Sequence, residues 1–472
     1  MRKFTYFLSA TALMAALAPA AIAQDQAPAQ NQSETVSMQQ AIELAMQSNP
    51  AILQAQFNKE AIQFEREQAQ GMFQPRVDIE ASAGIRRLEN TTRRNLGIAN
   101  NELYPLEVGI TGEWTAIDFG RRQGELLRQA ARVDGASLRI LERSEFVALQ
   151  VSRQYLDVLL QQRVAAAAQD NRRFHEMLVG ELSRGVNEGS ISIADQQQAE
   201  ERLQASIVRG EEAGRALRDA QISLRALTGL DLEMVTLPPT LVTELPGTLD
   251  GAIGMARTKN PLVLEAQADV DAANAVVKRA RGDLYPTIGL EARGRVGEDI
   301  DGFAGKTNDV QARAVMRWNI WDGGINRARL QETIRQASIA RYALHARQQE
   351  VEEDVRSAWN ALQTQGRISQ ALDRQATVSD DLLLSYRSQF NIGRRSLLDV
   401  LDAQNTRFNT QVRLETARFS EAFARYQVLA ATNNFLSALR IAPGTGANER
   451  ERERFEYGPS APAELQRRVH PK

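Results

Sequence analysis

The stretch from Gly324 to Phe390 decides how this chain folds; it reads GINRARLQETIRQASIARYALHARQQEVEEDVRSAWNALQTQGRISQALDRQATVSDDLLLSYRSQF. It contains no proline, and after its first residue its one glycine is Gly366. A helix of about 65 residues is a rod roughly 100 Å long, so it needs other long helices to pack against. Apolar residues recur along it at intervals of three, four or their sums, which places them on one helical stripe: Leu330, Ile334, Ala337, Leu344, Val351, Val355, Ala358, Leu362, Leu372 and Ala376.

The same rod occurs a second time in the chain, 204 residues earlier. The corresponding positions there are again apolar: Leu126, Ala130, Val133, Ile140, Val147, Val151 and Val158. The match breaks at one position, where Gln154 stands opposite Ala358. Four further pairs match around the rods: Asp118 with Asp322, Gly120 with Gly324, Gly189 with Gly393, and Asp195 with Asp399. The chain is therefore an internal duplication, and each half supplies one rod to the same fold.

Between the helical segments of each repeat, the spacing of apolar residues changes to two. Alternating segments occupy residues 76–88 and 104–117 in the first repeat, and 286–297 and 310–321 in the second. Each pair predicts a hairpin with one charged face and one mostly apolar face, the latter including Ile79, Val108, Leu290 and Ala314. Segments of about 10 to 12 residues have the length of tilted strands that cross a bilayer. A soluble hairpin with one solvent-exposed face is the alternative. The recurrence of the pattern in both repeats favours membrane-spanning strands.

Other segments lie outside the repeats. The chain starts with a charged residue pair, an apolar run and a small-residue cleavage site before Gln24, as in a secretory signal peptide. Polar, proline-containing composition predicts disorder near both ends and a linker in the middle. The predicted organisation is a signal peptide at 1–23, a disordered segment at 24–35, repeat 1 at 36–230, a linker at 231–247, repeat 2 at 248–441 and a disordered charged tail at 442–472.

The composition excludes several classes of function. The chain has no cysteine, three histidines and a formal net charge of −2. His175, His345 and His470 form no cluster with the spacing of metal ligands, and no glycine-rich loop joins a strand to a helix as phosphate sites require. Arginines alternate with acidic residues, so no cluster of basic residues indicates nucleic-acid binding. The sequence therefore predicts no metal, no cofactor and no catalytic residues, and the chain is not expected to be an enzyme.

A membrane role requires a particular architecture. After the signal peptide, no apolar run reaches the roughly 20 residues that a spanning helix needs. A chain without such a helix enters a membrane as a closed β-barrel. Four strands cannot close a barrel, whereas three copies would supply about 12 strands around an aqueous lumen. The predicted fold is mainly α with a transmembrane β-barrel portion: a duplicated helix–β-hairpin–helix repeat forming a long α-helical coiled-coil barrel, and a β-barrel of about 12 strands shared by a trimer.

This ordered set of features resembles the TolC-like outer-membrane factor family, from Ser37 to about Leu439. The resemblance rests on the Asn-Pro pairs at 49–50 and 260–261, the strand exits Asp118-Phe119-Gly120 and Trp321-Asp322-Gly323-Gly324, and NIGRRSLLDVLDAQNTRFNTQV from Asn391. It implies a homotrimer in the cell outer membrane that extends into the periplasm and exports substrates passively. The implied partners are outer-membrane lipid, a periplasmic adaptor (membrane fusion) protein and an inner-membrane ABC or proton-driven transporter.

The resemblance also implies a periplasmic gate at the helical tip. Arg395 falls where the family has a gate-bridging arginine, and Asp195 falls on its first-repeat partner. Asp399 and Asp402 fall on the two acidic ring positions, and Ala194 replaces a threonine contact, which would reduce the closing network. Aspartates three residues apart share a helix face, and stacked acidic rings in a narrow pore favour cations. Two solvated aspartates on a polar helix are the alternative.

Two functions compete on the sequence alone. The first is a trimeric exit channel for proteins or small molecules, and the second is a periplasmic coiled-coil adaptor or interaction protein without a channel. An adaptor usually has one helical hairpin with further β-domains, whereas this chain has two hairpins and two strand pairs. Among channels, the absence of a lipid-bearing cysteine and the long last helix ending in YQVLAATNNF resemble type I secretion more than multidrug efflux.

Overall fold

The computed structural model describes residues 36–230 and 235–451, so the predicted signal peptide, the segment 24–35 and the tail beyond 451 lie outside the described residues. Repeat 1 consists of α1 (Met38–Ser48), α2 (Pro50–Gly71), β1 (Arg76–Ala83), α3 (Thr91–Asn95), β2 (Leu106–Ile117), α4 (Arg121–Asn187) and α5 (Ile193–Thr228). Repeat 2 consists of α6 (Leu249–Lys259), α7 (Pro261–Gly282), β3 (Thr287–Glu298), β4 (Lys306–Arg317), α8 (Ile325–Asn391), α9 (Leu397–Ala431) and α10 (Phe435–Ala438). The duplication is confirmed by this order, and α4 and α8 have 67 residues each.

Each long helix begins just after a glycine with a left-handed backbone. Gly120 precedes α4 with a φ of 91°, and Gly324 precedes α8 with a φ of 88°, a region that glycine enters without strain. The aspartate two residues earlier, Asp118 or Asp322, accepts the backbone N–H four residues further on at 2.9 Å. These strand-exit residues therefore perform one task twice, which is to turn the chain from sheet to helix and cap the helix.

Asn49 and Asn260 break the shorter helices of both repeats, as the Asn-Pro pairs predict. Each asparagine has an extended backbone, with ψ of 123° and 126°, and its side chain accepts a backbone N–H two residues further on at 2.9 Å. An extended conformation is usual before proline, and proline at the first helical position removes no intrahelical hydrogen bond. The pairs α1–α2 and α6–α7 therefore follow one another with a single non-helical residue between them.

The strands form one antiparallel sheet in the order β1-β2-β3-β4. Ile79 pairs with Ile110, and Leu290 pairs with Trp114 on one side and Ala314 on the other. Because side chains alternate between the faces of a strand, this register gathers the apolar residues on one face and the charged residues on the other, as predicted. Within the described residues, β1 and β4 each have one unpaired edge.

The largest hydrophobic cluster lies where α1, α4, α9 and α10 meet. The fully buried Tyr155 is part of it, and its hydroxyl donates to the Val36 carbonyl at 2.8 Å and accepts the Thr236 N–H at 2.8 Å. The predicted stripe of α8 is buried, except that Leu330, Leu344 and Leu362 are half-buried. In the part of the chain that the structure describes, no helix is both long enough and apolar enough to traverse a bilayer.

The segment between β1 and β2, which the sequence predicts only as the connection of a hairpin, contains the helix α3. Arg93 in this helix is 1% exposed. Its guanidinium donates to the carbonyl of Gly302, in the loop of the other hairpin, and to those of Ile98 and Asn101 at 2.7 and 2.8 Å. The two hairpin loops joined by Arg93 form a cap at this end of the sheet. β1 ends at Ala83 rather than at residue 88, because the chain leaves the sheet there to form this cap. β4 runs from residue 306 to 317 rather than from 310 to 321.

The predicted disordered tail begins too early at residue 442. Residues 442–451 pack against α2 and α4, where the Gly444 N–H donates to the Ser144 hydroxyl at 3.0 Å. Glu449 pairs with the buried Lys59, and Glu451 pairs with Arg66 at 2.9 Å. Charges that indicate disorder when read alone are here matched by charges nearly 400 residues away in the sequence.

Candidate functional site

The two helical hairpins end in turns of the same design. Gly189 and Gly393 have left-handed backbones, with φ of 72° and 69°. A serine then caps the next helix, and the carboxylate of the aspartate three residues later contacts the hydroxyl of that serine. The Ser192 and Ser396 hydroxyls each lie 2.7 Å from the carboxylate of Asp195 or Asp399, and accept the aspartate's own N–H at 3.1 and 3.2 Å. Two of the predicted gate aspartates are thus capping residues at the tip.

Arg395, the predicted bridging residue, is held inside its own hairpin. Its guanidinium lies 3.7 Å from the Asp399 carboxylate, 3.2 Å from the Gln389 amide oxygen and 4.1 Å from the centre of the Tyr386 ring. The Ser396 hydroxyl, and then the charge of Arg395, hold the pKa of Asp399 below its ordinary value. The structure therefore brings Arg395 and Asp399 together within one chain. Among the described residues it does not bring Asp195 into an ion pair with Arg395.

Asp402 lies one helical turn beyond Asp399 and is exposed. Both carboxylates are on α9, three residues apart, so they lie on neighbouring positions of one helix face. A pair of carboxylates with one partly shielded by Arg395 and the other open to solvent can attract cations. In the described part of the chain, no cluster of three or more histidine, aspartate or glutamate side chains has the arrangement of a metal site.

A further ion pair near the tip joins the two repeats and has no signal in the sequence. Arg387 of α8 lies 3.0 Å from Glu181 of α4, and its guanidinium stands 5.6 Å from the centre of the Phe174 ring. The two charged residues are 206 positions apart, so no local spacing relates them. This contact holds the second hairpin against the first within one chain.

A buried polar layer lies beside this contact and was also missed. The Gln404 amide donates to the Asn171 side-chain oxygen at 2.9 Å, and both residues are buried. His175, one turn along α4, is 6% exposed, and burial together with Arg202 and Arg209 lowers its pKa to about 4. A neutral histidine and two amides inside an apolar helix pair are best suited to fixing the register of α4 against α9.

The two faces of the sheet require different surroundings. On the charged face, Glu291 pairs with Arg313 at 2.6 Å and with Arg317 at 2.5 Å, and Arg295 pairs with Asp309 at 3.1 Å. On the opposite face, large apolar side chains are exposed together: Val77, Ile79, Leu106, Val108, Ile110, Leu290, Val296, Val310 and Met316. A contiguous apolar surface of this extent indicates contact with lipid or with another protein.

A family model described as "Outer membrane efflux protein" matches residues 41–230 and 252–438. The chain is 28% identical over 280 residues to outer membrane efflux protein BepC of Brucella suis biovar 1, which covers 59% of this chain and 61% of BepC. It is 22% identical over 286 residues to outer membrane protein TolC of Escherichia coli K12, with 58% of each chain covered. These alignments span about three-fifths of the length of those relatives.

Solved structures share the fold along most of the chain. A membrane protein from Pseudomonas aeruginosa superposes with a TM-score of 0.75 at 19% identity, over 88% of this chain and 92% of its own. The open state of the MtrE outer membrane channel from Neisseria gonorrhoeae gives a TM-score of 0.71 at 18% identity, over 84% and 89%. At these identities the likeness concerns the arrangement of helices and strands.

Proposed function

Because the chain belongs to the outer membrane efflux protein family, whose members are outer-membrane channels reaching into the periplasm, we propose that three copies of it form one continuous export duct. The observation that carries the proposal is the sheet, which in the described part of the chain combines an exposed apolar face, a charged face and two unpaired edges. Open edges are not tolerated in lipid, so the strands must close against further copies.

Three four-stranded sheets supply about 12 strands, enough to enclose water. The apolar face would then contact lipid, and the ion-paired face would line the lumen. The strands β2, β3 and β4 have 12 residues each, which suffices for tilted strands crossing a bilayer. At 1.5 Å per residue, α4 and α8 extend about 100 Å away from the sheet, so they can carry the duct through the periplasm.

The helical tip is the proposed gate. In a trimer, Asp399 and Asp402 would form two stacked rings of carboxylates, with Arg395 beside the first ring and Asp195 on the neighbouring turn. Rings of acidic side chains in a constriction favour cations over anions. The contact of Arg387 with Glu181 supports this proposal, because a gate needs the two hairpins of one chain to be held in a defined position.

The duct is proposed to work passively with a periplasmic adaptor and an inner-membrane transporter that supplies energy and selects the substrate. Type I protein secretion is favoured over efflux of small molecules by the long last helix ending in YQVLAATNNF. The name of the Brucella relative, an efflux protein, favours the other use. Neighbouring genes would discriminate, because a secretion duct is expected beside an ABC transporter and an efflux duct beside a proton-driven pump.

The test is reconstitution of the detergent-extracted protein in planar bilayers. A duct of this kind gives discrete conductance steps with cation preference, and it fractionates with the outer membrane as a trimer. A protein recovered from the periplasm without detergent, or one that never conducts, would contradict the proposal. The adaptor alternative predicts a protein that is recovered from the periplasm without detergent and does not conduct.

A further inference from the structure

The two outer strands of the sheet carry opposite charge along their free edges. In order from the helices, the charged face of β1 presents Arg76, Asp78, Glu80 and Ser82, whereas that of β4 presents Arg317, Val315, Arg313, Gln311 and Asp309. The side of the sheet that ends in β1 is thus mainly acidic, and the side that ends in β4 is mainly basic near the helices.

Contacts within the chain leave these charges unbalanced. One carboxylate, Glu291, is shared by Arg313 and Arg317, so the two guanidiniums of β4 have a single acidic partner between them. On β1, Asp78 pairs at 2.8 Å with Arg76 of the same strand, and both side chains are largely exposed. Among the described residues Glu80 has no ion-pair partner. Surplus positive charge at one edge therefore matches surplus negative charge at the other.

We infer that β4 of one copy pairs antiparallel with β1 of a second copy, in a register that sets Arg317 opposite Asp78 of that copy. The inference rests on the proposed trimeric duct and specifies how its subunits recognise one another. The occupant of each free edge is then the opposite edge of an identical chain, a head-to-tail contact that closes into a ring.

The register follows from three constraints. Inside the chain, Arg76, Glu113, Glu291 and Arg313 form one straight row across the sheet. Continuing this row without an offset would oppose Arg313 to Arg76, which is unfavourable. An odd offset would turn the apolar residues of β1 to the charged face. Strand tilts of about 35–45° in a barrel of about 12 strands, spaced about 4.8 Å apart, require an offset of about four to six residues per copy.

Charge then selects between the two even offsets. With β1 displaced by four residues, Arg313 faces Glu80, but Arg317 then faces Arg76, a like-charge pair. With a displacement of six, Arg317 faces Asp78, Arg313 faces Ser82 with Glu80 on the diagonal, and no like charges meet. In the opposite sense, displacements of four and six residues would leave only four and two residues of β1 beside β4, because β4 starts at residue 306. The displacement of six residues is therefore assigned.

Disulfide trapping tests the register directly, because the chain has no cysteine of its own. Residues 78 and 317 of one chain lie on opposite edges of the sheet, three strand spacings apart across it and six residues apart along it. This separation is about 24 Å, which no disulfide bridges. The Asp78→Cys/Arg317→Cys variant, oxidised in isolated outer membranes, should therefore give covalent dimers and trimers on a non-reducing gel. The matched control Arg76→Cys/Arg313→Cys, which tests zero offset, should remain monomeric on that gel.

Charge exchange tests the energetic part. Asp78→Arg and Arg317→Asp should each lower the fraction of trimer that survives detergent several-fold, and the double exchange should restore at least half of it. Arg293→Asp is the matched control, because Arg293 faces the same lumen but pairs within the chain with Glu107 at 3.2 Å. Combined with Asp78→Arg, it should give no rescue.

The outcomes separate the register from the duct itself. A conducting outer-membrane trimer that cross-links at 76/313, or at neither pair, overturns the register and leaves the duct intact. Loss of the trimer and of conductance in the unaltered protein overturns the duct. Trapping at 78/317 without rescue by the charge exchange would mean that backbone pairing alone selects the partner, and the charge argument would be wrong.

Discussion

The Asp399 carboxylate lies 3.7 Å from the Arg395 guanidinium, one helical turn earlier in the same hairpin. The arginine that the sequence suggests as a gate bridge thus partly shields the first acidic position of its own α9. Asp402, one turn deeper, keeps its charge exposed to solvent. The two aspartates of the proposed gate are therefore unequal, and the second should dominate ion selectivity.

Replacing both aspartates by alanine should weaken the gate's preference for cations. In planar bilayers we expect Asp399→Ala/Asp402→Ala to reduce the cation-to-anion permeability ratio several-fold, with most of the change already present in Asp402→Ala. The control is Glu60→Ala/Glu67→Ala, which removes two exposed carboxylates of α2 far from the tip. Unaltered selectivity and conductance in the Asp399/Asp402 variant would remove the gate assignment.

Arg387→Ala should loosen the second hairpin from the first, because it removes both the ion pair with Glu181 and the contact with Phe174. A pair of this kind contributes about 0.5–1 kcal/mol near a surface. We expect faster amide exchange in the last turns of α8 and more frequent opening in bilayers. The matched control is Arg374→Ala, an exposed arginine on the same helix. Equal exchange rates in the two variants would argue against a role in closure.

Glu145 should make stability depend on pH. Burial raises the pKa of this carboxyl from its ordinary 4.5 to about 8, while the Leu436 N–H counteracts the shift. Between these two values the folded state keeps a proton that the unfolded state has lost, so the free energy of unfolding falls as the pH rises.

The slope is at most about 1.4 kcal/mol per pH unit. Glu145→Gln cannot ionise and still presents an oxygen to the Leu436 N–H, so it should flatten the fall in melting temperature between pH 5 and 8 in thermal scans. Glu43→Gln, on the exposed side of α1, should leave the slope unchanged. A variant curve parallel to the original one would show that Glu145 ionises freely.

Arg93→Ala should release the cap formed by the two hairpin loops, because three carbonyl oxygens lose their donor at a buried position. Unsatisfied buried groups cost about 1–3 kcal/mol each. When protease is added to intact cells, we expect it to cleave the variant between residues 84 and 105 several-fold faster than the unaltered protein. Arg94→Ala is the control, since Arg94 is exposed and pairs with nearby Glu89 at 2.9 Å. Similar cleavage of both variants would contradict the assigned role of Arg93.

The features that the sequence predicts are those with a local period. The β2 strand at 106–117 lies within the predicted segment 104–117, because alternation sets both its ends. The long helices contain no proline, and their starts are marked by an aspartate and a glycine at fixed spacing. The same reasoning finds the two tip turns, where glycine, serine and aspartate recur in both repeats.

The features that were missed depend on residues far apart in the chain. Gln404 and Asn171 are 233 positions apart, and each read alone is a polar residue on a polar helix. Lys59 reads as a surface lysine, yet residues 446–449 bury it. Periodicity assigns a side chain to a face, but it does not say which distant segment covers that face. The gate residues could be named only by resemblance, since no local pattern separates Asp399 from other capping aspartates.

The internal repeat is imperfect at the tip, and this limits the shape of any constriction there. Position 402 carries an aspartate, whereas the equivalent position in the first repeat, 198, carries a glutamine. Three subunits with two hairpins each would present six similar corners, but only alternate corners bear the deeper carboxylate. The charges around the opening would thus have threefold symmetry, whereas the backbone would have approximate sixfold symmetry. A partner with threefold symmetry could therefore dock in two orientations, and these would differ in energy.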